Sequence, residues 1–261
     1  MKKTMIALAL VMAVTTSVIF ANGQKETASS SSEELVLNFA TNAEYPPMEF
    51  IDDDGNMTGF DIDLLNHIGT ELGYTINIKN VAWDGIFAGL ANGAYQGVAA
   101  GITVTDERKQ ALEFTNTYLE VTQAFISRSD DSQNKATTAA DCEGKTVGVL
   151  MGSTSDIYLQ DSGVDMEIKG YDDIASAVED MLNGNTSIVV TDSVVAAEYV
   201  LKNESFKGKL TITGNDKSTS QPMAMCFQKG DTKNVELING ALAKMEEDGS
   251  LQALKEKWSL L

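Results

Sequence analysis

Positive charge is the scarcest resource in this 261-residue chain: it has only two arginines, Arg108 and Arg128, and 19 basic side chains face 38 acidic ones. An apolar run from Met5 to Ala21 behind Lys2 and Lys3 has the make-up of a secretory signal peptide, residues 1–21. At about 17 residues, softened by Thr15, Thr16 and Ser17, it is short for a membrane span. An uncleaved anchor is its alternative reading. Without it, 17 basic and 38 acidic side chains leave about −21. Such a balance excludes nucleic acid and anionic membrane surfaces as partners. There is one histidine, His67, and there are two cysteines, Cys142 and Cys226. This poverty excludes a zinc pattern, a disulfide framework and a Cys–His nucleophile. Cys226, between Met225 and Phe227, reads as a buried thiol. Cys142 stands between Asp141 and Glu143, whose charges disfavour a thiolate. No metal and no cofactor are implied. Asp52-Asp53-Asp54 lacks the spacing and closing glutamate of a calcium loop and reads as a hairpin turn.

What is present begins with the stretch Gly97 to Arg108. Its first half is apolar but small, a buried strand that a neighbour approaches closely. Its second half places Thr105 as a helix N-cap, with Asp106 and Glu107 in the first turn. Arg108 then occupies the third helical position, where the macrodipole disfavours a cation by about 0.3–1 kcal/mol. An anion held between the guanidinium and the free N–H groups of that helix end would relieve the conflict. Pairing of Arg108 with a nearby surface carboxylate is the competing explanation. The functional reading is a small carboxylate ligand at a strand-to-helix junction.

The rest of the chain alternates strands and helices. Residues 22–34 are a polar, flexible leader. Leu35–Ala40 reads as a strand, and Pro46-Pro47 stiffens the loop after it. Asp61 is the expected N-cap of a helix whose buried stripe is Ile62, Leu65, Ile68 and Leu72. A strand (74–81), a helix (83–92), the organising strand and its helix to about Phe114 follow, then an extended segment, 119–127. After a polar stretch (130–140), strands at 146–150, 165–169 and 187–191 alternate with helices at 155–160, 173–182 and 192–201. An extended segment, 222–227, precedes a helical C-terminal region broken at Gly249. Short connections between alternating elements imply wound, parallel sheets. In such sheets the ligand lies beyond the carboxyl ends of the strands. Those ends carry Asn42, Glu44, Tyr45, Trp83, Gly101, Thr103, Arg108, Thr154 and Asp192. One cation, one buried-strand aspartate, hydroxyls and aromatics suit a zwitterion, with its carboxylate on Arg108 and its ammonium on Asp192. Taken singly, Asp192 could be an N-cap, and Tyr45 and Trp83 could be core aromatics.

Three motifs in order carry a resemblance. Gly59-Phe60-Asp61-Ile62-Asp63-Leu64 with Ile68-Gly69 and Leu72, the stretch Ala100 to Arg108, and Glu247-Asp248-Gly249-Ser250-Leu251 through Lys257-Trp258 are similar to the amino-acid-binding solute-binding proteins, family 3, of bacterial ABC importers. The likeness covers residues 35–260, and its middle motif is close to that of the glutamine-binding members. It implies an α/β, two-lobed periplasmic-binding-protein fold of type II, each lobe a wound, mostly parallel sheet with flanking helices, joined by two crossover hinge strands. Lobe 1 is expected at 35–119 with 224–261, and lobe 2 at 122–219. The cysteines then fall in different lobes, and two free thiols follow. The resemblance puts the ligand carboxylate on Arg108, its ammonium on Asp192, backbone and hydroxyl contacts on Gly101, Thr103 and Thr154, and stacking on Tyr45 and Trp83. Asn42 stands where relatives taking basic ligands carry an aspartate, which points to an uncharged polar side chain, although Glu44 could supply a negative charge. A monomeric receptor that hands an L-amino acid to a membrane permease, outside the cytoplasm, is the implied function. A lyase or dehydratase on the same fold is the alternative, but no histidine or cysteine is available to titrate in the cleft.

Overall fold

The computed structural model describes residues 35–261, so the signal peptide expected at 1–21 and the leader at 22–34 lie outside the described residues. Strand β1 (Val36–Thr41) is followed by β2 (Glu44–Tyr45), β3 (Glu49–Ile51) and β4 (Met57–Thr58), which form a small antiparallel sheet of their own. Then come α1 (Phe60–Leu72), β5 (Thr75–Asn80), a single 3-10 turn (Trp83–Gly85), α2 (Ile86–Ala91), β6 (Gly97–Val98), α3 (Asp106–Ala111) and β7 (Leu112–Phe114). The second series is β8 (Leu119–Arg128), a 3-10 turn (Ala139–Cys142), β9 (Thr146–Leu150), α4 (Thr154–Asp161), β10 (Glu167–Tyr171), α5 (Ile174–Leu182), β11 (Ile188–Asp192) and α6 (Ser193–Ala197) with a wide π-type turn (Glu198–Lys202). β12 (Leu210–Met223), β13 (Cys226–Gln228), α7 (Thr232–Glu247) and α8 (Ser250–Lys257) end the chain.

Among the described residues these strands build two five-stranded sheets, ordered β5-β1-β6-β13-β7 and β10-β9-β11-β8-β12. The α/β, two-lobed class expected from the sequence is therefore present, and the sheets are mostly parallel by strand direction, four of five strands in each running the same way. In each, two pairings are parallel and two antiparallel. The one strand that runs against the others is β13 in the first sheet and β8 in the second. The chain passes from the first sheet to the second between β7 and β8 and returns between β12 and β13, and β8 and β12 pair directly, ending with Leu119 opposite Met223.

Burial explains the layers. Parallel strands are covered on both faces, and all five residues of β11 are buried, as are Phe39 and Ala40 of β1. α1 seats Phe60, Leu64, Leu65 and Ile68 against the first sheet, and α5 seats Ala177, Val178 and Met181 against the second, all without exposed surface. Each such large side chain contributes about 1.5–3 kcal/mol. Three local expectations need correction. Asp61 does not cap α1: Gly59 is the N-cap, at φ 132°, and no side chain caps that end. An added Cβ at Gly59 would lie 2.3 Å from the Met48 carbonyl oxygen, so glycine is required and Asp61 is freed to turn inward. α3 ends at Ala111 instead of near Phe114, because Leu112–Phe114 leaves the helix to pair with β13. β12 spans fourteen residues, of which only the last few were legible as strand.

Cys142 and Cys226 are both buried and free, as expected. Burial pushes their thiols up to about 11 and about 12. Arg128, the second arginine, is a structural residue: it donates to the Met181 carbonyl at 2.9 Å and pairs with Asp131 at 2.9 Å.

Candidate functional site

Thr105 caps α3 as the sequence predicts, its Oγ1 accepting from the Arg108 amide at 3.1 Å. That cap fixes the first turn and sends the Arg108 side chain back over the end of the preceding segment. The guanidinium donates to the Thr103 carbonyl at 2.9 Å and packs against a pair of rings that touch each other edge to face, 5.7 Å from the centroid of Trp83 and 5.2 Å from that of Phe87. Cation–π stacking holds its plane. Among the described residues it forms no ion pair, so the surface-carboxylate explanation does not apply. Desolvation lowers its pKa, partly opposed by the nearby charge of Asp192.

Asp192 closes the other side. It ends β11 and stands at the N-cap position of α6, yet its side chain makes no capping bond. Instead Oδ2 accepts from the Tyr45 hydroxyl at 2.7 Å and Oδ1 from Gln123 Nε2 at 3.1 Å. Burial raises its carboxyl to about 6, against the lowering effect of those donors and of Arg108. Thr154, the first residue of α4, lies 3.5 Å from the Thr103 hydroxyl and accepts from Gln123 Nε2 at 3.4 Å. Trp83 Nε1 donates to the Met151 carbonyl at 3.2 Å. These bonds join elements of the first sheet to elements of the second. Gly101, at φ 56°, donates its N–H to Asp61 Oδ2 at 2.8 Å and lies under the Tyr45 ring, where an added Cβ would approach to 3.2 Å.

Seven of the nine candidate residues, namely Tyr45, Trp83, Gly101, Thr103, Arg108, Thr154 and Asp192, line one cavity between the sheets. Its free volume is about 20 Å³, room for about one water. Glu44 lies outside it. With Asp84, Tyr171, Asp172 and Met151 it lines an adjoining cavity of about 250 Å³ that shares Trp83 and Leu150 with the first. Asn42 lines neither, since its Nδ2 donates to Glu44 Oε2 and to the Val81 carbonyl, both at 3.2 Å. A larger cavity of about 540 Å³ behind Thr154 and Gln123 carries no basic side chain. Sequence reasoning missed Glu49, which lines the small cavity, and Gln123, which braces Asp192. Gln123 had a signal: it is a polar residue inside the apolar run of β8, and it is 1% exposed.

Comparison with known proteins shows the family. The model of the bacterial extracellular solute-binding proteins, family 3, matches residues 37–260. The chain belongs to that family. Among its curated relatives, a "probable histidine-binding protein" of Neisseria gonorrhoeae is 32% identical, covering 99% of this chain and 96% of that one. Among solved structures, the arginine-, lysine-, histidine-binding protein ArtJ from Geobacillus stearothermophilus is 31% identical with TM-score 0.78, over 87% and 95% of the two chains. An ancestral arginine-binding protein, solved bound to arginine and also to glutamine, is 34% identical with TM-score 0.78, over 85% and 97%. These relatives are binding proteins rather than enzymes, and this solute-binding protein is one too.

Proposed function

We propose that this solute-binding protein is an extracytoplasmic, monomeric receptor for a free L-amino acid, which it delivers to the membrane permease of an ABC importer. The single observation that carries the reading is the half-buried guanidinium of Arg108, which forms no ion pair among the described residues, across a small cavity from the buried carboxylate of Asp192. A zwitterion supplies the missing partner to each: its carboxylate to Arg108, its ammonium to Asp192 in place of the Tyr45 hydroxyl. Gly101, Thr103 and Thr154 would add backbone and hydroxyl contacts, with Tyr45 and Trp83 as apolar walls. Since the cavity holds about one water, entry requires the walls to part. The reading therefore includes hinged opening of lobe 1 (35–119 with 224–261) from lobe 2 (122–219) at the two crossovers.

The side chain of the ligand is a finer matter. Asn42 pointed to an uncharged polar group, but its amide is spent on Glu44 and Val81. Past Trp83 lies the cavity walled by Glu44, Asp84 and Asp172, which no lysine or arginine lines. That wall favours a cationic side chain, and it agrees with the names of the histidine- and arginine-binding relatives. Thermal unfolding in the presence of each common L-amino acid and cystine tests this. The largest rise in Tm is expected from arginine, lysine or histidine, and Glu44→Gln should reduce the advantage over glutamine. If glutamine or cystine stabilises more than every cationic amino acid, the acidic wall does not set specificity.

A further inference from the structure

Glu49 lines the amino-acid cavity but has no part in the chemistry above. It sits in β3 opposite Tyr45, has no exposed surface, and neither of its carboxyl oxygens meets an N–H or O–H donor among the described residues. One other carboxyl oxygen shares this condition: Oδ1 of Asp61, which is equally inaccessible. The two side chains are within hydrogen-bonding reach of each other. Their backbones are tied as well, since the Asp61 amide donates to the Met48 carbonyl at 2.8 Å. A proton between the two carboxyls pairs one Glu49 oxygen with Asp61 Oδ1, whereas two anions in contact would leave all three oxygens unsatisfied.

We propose that Glu49 is a neutral carboxylic acid at physiological pH and donates its proton to Asp61 Oδ1, making it a positioning residue for Gly101 in the ligand site. Asp61 then stays ionised, and its other oxygen, Oδ2, is free to hold the Gly101 amide at 2.8 Å and the Tyr118 hydroxyl at 3.1 Å. Those bonds pin Gly101 at its positive φ beneath Tyr45. The groups facing Glu49 fit this assignment. Asp61 comes from α1 and Tyr118 from the segment before β8, while Tyr45 of β2, Arg108 of α3 and Asp192 of β11 share the cavity wall. The only cation among them, Arg108, is engaged at Thr103. Burial and the charge of Asp61 push Glu49 well above the usual carboxyl range, while Asp61, stabilised by its donors, rises only to about 6. Asp61 accepts two hydrogen bonds at Oδ2 and Glu49 accepts none, so the proton belongs to Glu49.

The proposal rests on the receptor reading only where affinity is measured. The primary test is infrared spectroscopy of the ligand-free, full-length chain at pH 8, with and without carbon-13 glutamate labelling. A carbonyl-stretch band of a protonated carboxylic acid is expected, and labelling of glutamate should shift it. No band, or a band that labelling leaves in place, overturns the assignment, and neither result bears on whether an amino acid is bound. The second test is the Kd of the best amino acid from the thermal screen. Glu49→Gln keeps a donor for Asp61 and should stay within about threefold of wild type, while Glu49→Ala should bind at least about tenfold more weakly. A folded Gln variant as weak as the Ala variant contradicts the donor role.

Discussion

Arg108→Ala is expected to abolish amino-acid binding while leaving the protein folded. Removing one member of a buried, hydrogen-bonded charge pair costs about 3–5 kcal/mol, because the remaining charge is stranded without solvent. With each 1.4 kcal/mol worth about tenfold, Kd should rise by about two to three decades. The fold should tolerate the change, since among the described residues the guanidinium gives one hydrogen bond, to the Thr103 carbonyl, and two ring contacts, to Trp83 and Phe87. Arg108→Lys should recover part of the loss, as an ammonium can meet a carboxylate but not bidentately, nor with the flat contact a guanidinium makes on an aromatic face. Calorimetric titration with parallel thermal unfolding checks both halves. A folded Ala variant that binds within about threefold of wild type contradicts the carboxylate assignment.

Asp192→Asn should weaken binding by about one to two decades, through loss of the counter-charge to the ammonium. The amide keeps the volume and can still meet Tyr45 and Gln123, so stability should change little. The same residue predicts a pH dependence. Its carboxyl titrates at about 6 in the free protein, and only the ionised form balances an ammonium. Binding therefore releases a proton below about pH 6, and Kd should rise about tenfold per pH unit there, flattening above pH 7. Linkage with stability has the opposite sense. A carboxyl raised by burial favours the folded state at low pH, and that contribution is lost as pH rises from about 4 through 6. In Asp192→Asn the acid branch of the affinity profile should disappear. An unchanged profile would mean that another group titrates.

The parts of the site that could be read from sequence are those in which one residue type has one physical use. Thr105 followed by two acids is a helix start, and a cation three places into that helix demands an explanation, which made Arg108 visible. Asp192 was visible because it stands at the carboxyl end of a buried strand, where wound sheets place their ligands. Asp61 was misread because a helix-opening aspartate looks the same whether it caps or turns inward. Only the φ of 132° at Gly59 and the crowding by Met48 decide between these. Glu49 stayed hidden because a glutamate in a three-residue strand, between buried Met48 and half-buried Phe50, carries no pattern that marks it as buried. β12 was missed for most of its length because it is a half-exposed edge strand with two register shifts and a polar sequence. The one antiparallel strand in each sheet arises from long-range pairings that alternation of elements does not encode.

The measurement that tests the central claim most directly is a titration of the wild-type chain with three compounds: the amino acid selected by the thermal screen, its carboxamide and its N-acetyl derivative. All three carry the same side chain, so any differences report on the two ends of the zwitterion alone. If Arg108 holds the carboxylate and Asp192 the ammonium, the parent binds and each derivative loses about a hundredfold or more. Equal affinity for the carboxamide would contradict the role of Arg108, and equal affinity for the N-acetyl compound that of Asp192.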